Sequence, residues 1–523
     1  MDGEGVRKVL AGAGVDAGRF RAALALLADG GWWTLADLVR ETATSRRGIE
    51  ALLREVAPER SGDRFRLTAG QAEAVRELLG DSPSARPADP VGHLLPRHSG
   101  VVELMERLIA GAPRGRHVLD HVAATPETVV RRALLLGARF WLRDAKVLCV
   151  GDHDLTSLAI KLIHPEAEVA VADLDERILA YIDEQARRLG LAVRTRWADL
   201  RLGLPRSAHE WADLAVTDPP YTPEGVGLFV ARAVEGLRDP DQGRVLLAYG
   251  ASERTPMLAL KVQESLHDLN LAYEAMYPDF NRYFGAEAIG SAADLYVLRP
   301  TTKTRPAVAA RADRYGTAIY TKGPQSVESR PAAGSVRLGG FEPGVLVGDW
   351  PKDLLPRVPR ARLSTWLAKP YAAAPERVAV AVPAGMTAAV PRLLLATRAR
   401  HVRVFLAEPP DDLAGLTAPL SPVYRITADG AVLDAERAGP AQDPPGRLLR
   451  AILDNAHGKL ANTWREGLTR ADGGLTKRQA REVVARVAPW ADDVTVLELP
   501  AHRLRELPAA VTASLTIGAG AQG

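Results

Sequence analysis

Cysteine is all but missing from this chain. Among 523 residues only Cys149 carries a thiol, and it sits inside an apolar run. That excludes disulfides and a cysteine-based metal site, and marks Cys149 as a buried structural thiol. Long apolar runs are missing as well. No stretch reaches membrane-spanning length, and Met1 to Leu10 hold no apolar core of a secretory leader. The expected location is cytoplasmic, with no membrane partner. Net charge is slight: 67 Lys and Arg stand against 64 Asp and Glu, leaving +3. That balance argues neither for a nucleic-acid binder nor against a cationic substrate, so local charge has to decide.

A chain of this length holds several domains, and three are expected: 1–85, 90–300 and 301–523. From about Phe20 to Leu79 the pattern is helical, with Thr34 and Ser45 as N-caps and two short strands around Gly62-Asp63. Helix-turn-helix plus hairpin predicts a winged-helix domain. Arg46, Arg47 and Arg54 form a modest basic patch interrupted by Glu50 and Glu55. The module either reads DNA or serves dimerisation or docking, which is compatible with a homodimer; nucleic acid is the less favoured partner. Residues 81–90 are a Pro-rich linker. A helix capped by Thr125, with Pro126 at its first position, follows. Asp120, His121, Thr125 and Glu127 there form either a plain capped helix or a lid that touches substrate.

Apolar runs then alternate with helical segments from Lys146 to Pro300, ending in two strands with no helix between them. This predicts an α/β fold: a class I methyltransferase-like Rossmann sheet of five parallel strands closed by a hairpin. Chemistry in such a sheet sits beyond the carboxyl ends of the strands. Each end here delivers acid: Asp152 and Asp154, Asp173 and Asp175, Asp199, then Asp218. Beyond about Thr301 an extra C-terminal α/β domain begins. It has one strand-helix-strand unit over 377–409 and an expected strand over 494–499. Its polar segment with Asn455, His457, Lys459 and Asn462 suggests a structural helix start, and no mechanism attaches to this domain.

An acid ending the second strand, Asp173 or Asp175, is placed to bind ribose hydroxyls, and Asp199 to bind an adenine amino group. The first turn has one glycine, Gly151, followed by Asp152, His153 and Asp154. Acids there disfavour a cofactor bearing a carboxylate and favour one ending in an ammonium, such as decarboxylated S-adenosylmethionine. The alternative is helix capping, which suits Asp154 better than Asp152. At Asp218-Pro219-Pro220-Tyr221 two prolines fix a rigid turn without N–H donors. That suits an amine nucleophile: Asp218 would orient or deprotonate it, and Tyr221 would offer a ring face to a cation or base. No metal requirement is expected, although His153 with Asp152 and Asp154 could ligate a divalent ion.

Taken together, these motifs resemble the branched-chain polyamine synthases, or N4-bis(aminopropyl)spermidine synthases. The resemblance covers about residues 20–300. It rests on Gly151-Asp152-His153-Asp154-Leu155-Thr156-Ser157, Asp173-Leu174-Asp175-Glu176-Arg177, Asp218-Pro219-Pro220 and Ala124-Thr125-Pro126-Glu127-Thr128. It implies transfer of the aminopropyl group of decarboxylated S-adenosylmethionine to a polyamine-type amine, with release of methylthioadenosine. Asp152, Asp154 and Asp218 would then hold and activate the amine, and Asp175 the ribose. His153, Pro219, Pro220, Tyr221 and Glu127 would line the substrate path. His153 departs from the family's acid at that position and could turn positive near neutral pH, which points to a shorter or different acceptor. The region after Thr301 has no family counterpart. The competing reading is an S-adenosylmethionine-dependent N-methyltransferase acting on an amino group of nucleic acid or a small molecule, because Asp-Pro-Pro-Tyr also resembles such turns. A third is a winged-helix regulator that senses a nucleoside.

Overall fold

Short amphipathic helices and a small hairpin build the N-terminal region of this computed structural model. It describes residues 2–14, 17–80, 89–251, 255–311, 316–328, 338–471 and 475–520. Most of the linker expected over 81–90 lies outside the described residues. Helices α1 (Gly3–Ala13), α2 (Ala17–Leu27), α3 (Leu35–Thr42), α4 (Arg46–Val56) and α5 (Ala69–Leu79) surround strands β1 (Trp33–Thr34), β2 (Glu59–Ser61) and β3 (Arg64–Arg66). The strands pair in the order β1-β3-β2. Thr34 and Ser45 do cap α3 and α4, accepting from the N–H groups of Asp37 and Gly48. Leu24, Leu38, Ile49, Leu52 and Val56 lock the helices together through a fully buried core.

The start of α4 rests on the central domain. Arg46 pairs with Glu50 at 2.9 Å and with Glu287 at 2.6 Å. Arg19 pairs with Asp279 at 3.0 Å. Gly290 has φ +80, and a Cβ there would lie 2.7 Å from the Ala43 carbonyl, so only glycine permits this approach. Arg46 of the basic patch therefore meets acid from the same chain.

The central domain opens with α6 (Ser99–Gly111) and α7 (Pro126–Arg139). Thr125 caps α7 by accepting from the Thr128 N–H, with Pro126 in the first turn. Strands β4 (Lys146–Val150), β5 (Glu168–Asp173), β6 (Val193–Trp197), β7 (Leu214–Thr217) and β8 (Arg244–Tyr249) are parallel. They alternate with α8 (Thr156–Ile163), α9 (Glu176–Leu189), α10 (Pro223–Gly236) and α11 (Pro256–Asp268). The hairpin β9 (Leu271–Arg282) and β10 (Ala292–Pro300) adds antiparallel to β8, giving the order β6-β5-β4-β7-β8-β10-β9. Apolar strands covered on both faces are what a parallel sheet requires. The order reverses at β4, and there the crevice opens.

A second sheet fills the C-terminal region, in the order β12-β11-β13-β14-β16-β15. Its strands are β11 (Val345–Val347), β12 (Arg360–Ala361), β13 (Arg377–Ala381), β14 (His401–Phe405), β15 (Tyr424–Asp429) and β16 (Val432–Arg437). The strand-helix-strand unit over 377–409 is present as β13, helix Val390–Leu395 and β14. No strand forms over 494–499. Val496–Glu498 is a short 3-10 turn instead, because Thr495 and Glu498 close a capping box that coils the chain. Asn455, His457 and Lys459 contact Thr463, the Trp366 carbonyl and Asp493. This sheet packs on the central one through α9. Arg392 pairs with Glu176 at 2.6 Å, and His502 and Arg503 reach Asp183 at 2.7 and 2.8 Å.

Candidate active site

The carboxyl end of β4 turns sharply at Gly151 (φ +73), where a Cβ would press on the Phe229 ring at 3.2 Å. The next acids do not point freely into solution. Asp152 is 3% exposed and accepts from the Ser157 N–H at 3.2 Å, closing the open end of α8. Its own N–H donates to Asp173 at 2.9 Å, and the Asp175 N–H donates to the other Asp173 oxygen at 2.7 Å. The alternative reading of helix capping suits Asp154 from the sequence; in the structure the N-cap position is Leu155, and of the two acids it is Asp152 that accepts from an N–H of α8. Burial pushes the Asp152 carboxyl up to about 8 against the pull of the Ser157 N–H, and burial raises Asp173 as well.

Asp154 and Asp218 meet through a residue that the motifs do not contain. Arg132 of α7 is 2% exposed. Its Nη1 donates to Asp154 at 2.9 Å and to the Thr156 hydroxyl at 3.3 Å. Its Nη2 donates to Asp218 at 2.6 Å and to the Tyr283 hydroxyl at 3.1 Å, and its Nε to Asn281 at 2.8 Å. All five N–H groups of the guanidinium are used. One signal was legible: an arginine sits on the apolar stripe of a helix with Val129, Ala133 and Leu136, all buried. Asp154 and Asp218 thus share one cation, and together they attract an ammonium less than a bare pair of acids would.

Asp218 ends β7 with its side chain 19% exposed. The Tyr283 hydroxyl donates to it at 2.7 Å and the Tyr221 hydroxyl at 3.0 Å. Burial raises its carboxyl to about 6, Arg132 pulling the other way and Asp154 adding to the rise. Both a carboxylate and a proton on it are therefore accessible near neutral pH, which is what a group that accepts a proton needs.

These groups face a cavity of about 710 Å³. Gly151, Asp152, His153, Asp154, Asp173 and the whole run Asp218-Pro219-Pro220-Tyr221 line it. Three predicted residues do not line it. Asp175 caps α9 through the Arg177 N–H at 3.1 Å and grips the Arg177 guanidinium at 2.6 Å. Asp199 is held by Arg201 at 2.8 and 2.6 Å, while its neighbours Ala198 and Leu200 form the wall. Glu127 is exposed on the first turn of α7. For Asp175 and Asp199 a helix start or a nearby arginine satisfies the acid locally. Of the two ribose candidates, Asp173 lines the cavity and Asp175 does not; the adenine candidate Asp199 does not line it either.

His153 stacks on His121, centroids 4.3 Å apart and planes at 20°. Burial lowers both imidazoles, His121 to about 3. Burial thus favours the neutral form of both rings, against the positive charge expected at His153. His121 and Asp120 line the cavity with the segment before α7, as a lid would, and Phe284 and Ile289 of the β9–β10 turn close another side. Among the described residues no group of three or more His, Cys, Asp and Glu is arranged for a metal ion. Also among them, no helix is long and apolar enough to cross a membrane.

Residues 101–309 match the family model of the branched-chain polyamine synthase A C-terminal domain. That match lies within the central domain. An uncharacterised protein of Methanocaldococcus jannaschii is 37% identical over 174 residues, 33% of this chain and 43% of that protein. The N(4)-bis(aminopropyl)spermidine synthase of the same organism is 26% identical over 266 residues, 50% of this chain and 75% of the relative. The chain thus spans less than half of the first of these relatives. Among solved structures, the Thermus thermophilus branched-chain polyamine synthase C9 mutein, in complex with N4-aminopropylspermidine and 5'-methylthioadenosine, aligns at a TM-score of 0.40. That alignment has 20% identity and covers 57% of this chain and 91% of that one. The synthase-family segment contains every residue of the acid cluster and Arg132, but not the C-terminal sheet.

Proposed function

We propose that this protein is an aminopropyltransferase. It moves the aminopropyl group of decarboxylated S-adenosylmethionine to a polyamine-type amine and releases methylthioadenosine. One observation carries the reading beyond the family match: Asp218, poised near neutrality, ends the central strand beside the cavity in the grip of Arg132, Tyr221 and Tyr283. The amine nitrogen attacks the carbon bonded to the sulfonium. The carbon–sulfur bond breaks, its electron pair stays on sulfur, and the nitrogen proton passes to the Asp218 carboxylate. Pro219 and Pro220 keep backbone donors away from that proton. Asp173, whose two oxygens already accept backbone N–H groups, keeps lone pairs for ribose hydroxyls at the cavity wall.

The second reading, S-adenosylmethionine-dependent N-methyl transfer, gains from Arg132 and from the protonated Asp152. Both reduce the negative charge that would repel a cofactor carboxylate. Incubation with decarboxylated S-adenosylmethionine and a panel of polyamines, alongside S-adenosylmethionine with amines and nucleic acid, separates the two by product mass. Methylthioadenosine with an aminopropylated amine supports the first; a methylated product supports the second.

A further inference from the structure

One wall of the cavity comes from outside the family domain. Tyr320 and Thr321 line it, beyond the matched segment that ends at 309. Their segment folds on itself: the Ile319 and Tyr320 N–H groups donate to the Gln325 carbonyl, and the Val327 N–H to the Tyr320 carbonyl. It is also tied down on both sides. Toward the cavity, the Thr321 N–H donates to Asp120 at 2.6 Å and its hydroxyl donates to the second carboxylate oxygen. The Thr222 hydroxyl donates to the Ile319 carbonyl at 2.7 Å. Toward the C-terminal sheet, the Gln325 amide donates to the Ala384 carbonyl at 2.6 Å, in the loop after β13. Arg201, which holds Asp199, reaches the Gly385 carbonyl at 3.3 Å.

This scaffold presents Tyr320. The residue is 3% exposed, and the Arg201 guanidinium lies 5.6 Å from its ring centroid. Ala198, Leu200 and Phe229 share both its apolar cluster and the cavity wall. Ala198 and Leu200 follow β6, and Phe229 lies on α10. An apolar slot ended by an aromatic ring suits a flat nucleobase and offers nothing to an amine. We infer that Tyr320 is the nucleobase wall of the donor site and that the C-terminal domain holds it there. The inference rests on the proposal of an adenosine-containing donor and adds a binding residue from outside the family domain.

Calorimetric titration of the full chain with methylthioadenosine, and with adenosine as a second probe, tests it. Tyr320→Ala is expected to weaken methylthioadenosine by about tenfold or more and Tyr320→Phe by no more than about twofold, as stacking requires. The acceptor KM should stay unchanged in both. Asp120→Ala, which cuts the latch at Thr321, should also weaken the nucleoside, and its effect should vanish in the Tyr320→Ala background. If Tyr320→Ala fails to fold, Tyr320→Leu and Asp120→Ala carry the test. Wild-type affinity in the folded Tyr320 and Asp120 variants overturns the inference and leaves the donor reading intact. A wild-type protein that binds neither probe overturns both.

Discussion

The two halves of the cavity use carboxylates in opposite ways. At the ends of β4 and β5, Asp152 and Asp173 accept from backbone N–H groups of Ser157, Asp152 and Asp175. At the end of β7, Asp218 accepts, among the described residues, from the side chains of Arg132, Tyr221 and Tyr283. Backbone donors fix a loop and cannot leave it. Side-chain donors set a charge, can rotate, and can be exchanged for a substrate. On the proposed function, the first half is a frame for the nucleoside and the second a proton acceptor beside it.

Cutting the second half should do most harm. Asp218→Asn keeps the shape but removes the proton acceptor, and should lower turnover by about a hundredfold or more. Methylthioadenosine affinity should stay, since the frame is untouched. Turnover near wild type would end that assignment. Arg132→Leu leaves Asp154 and Asp218 buried and unpaired, and should cost about 3–5 kcal/mol in urea unfolding. A loss of only a few tenths would mean that the cation does not hold the two halves together.

Titration sharpens the contrast. Asp218 must be a carboxylate to take the amine proton, so the rate should fall as pH drops through about 6. A profile flat from pH 5 to 8 would contradict that role. In the other half, Asp152 is raised to about 8, so the native state keeps a proton that the unfolded chain loses near the ordinary carboxylate value. The stability this proton supplies is full below that ordinary value and is lost as pH rises toward about 8. Asp152→Asn keeps an acceptor for Ser157 and should flatten the decline in thermal midpoint; an unchanged slope would show that Asp152 is ionised in the native state.

The smallest effect separates two neighbours. Asp173→Ala should weaken methylthioadenosine binding, whereas Asp175→Ala should leave it near wild type and cost about 1 kcal/mol of stability as a lost helix cap. The reverse pattern by calorimetry would return the ribose to Asp175.

Much of this was legible in the chain. Apolar runs ending in acid predict the parallel sheet and its crevice, and the rigid Asp218-Pro219-Pro220-Tyr221 turn predicts a wall of acceptors. What sequence cannot show is which acid a neighbour has already claimed. Asp175 and Asp199 each stand two residues before an arginine, Arg177 and Arg201, that folds back on them. Arg132 and Tyr283 lie 86 and 65 residues from Asp218 along the chain, and only the fold brings them to it. The stretch over 494–499 has strand-like composition, yet the local Thr495–Glu498 box wins over weak strand propensity.

The most direct measurement is product mass from wild type and Asp218→Asn, each given decarboxylated S-adenosylmethionine and a panel of polyamines. Wild type is expected to give methylthioadenosine and an aminopropylated amine, and the variant, which still binds methylthioadenosine, about a hundredfold less of both or lower. Equal product from both proteins, or product only as a methylated amine from S-adenosylmethionine, would contradict it.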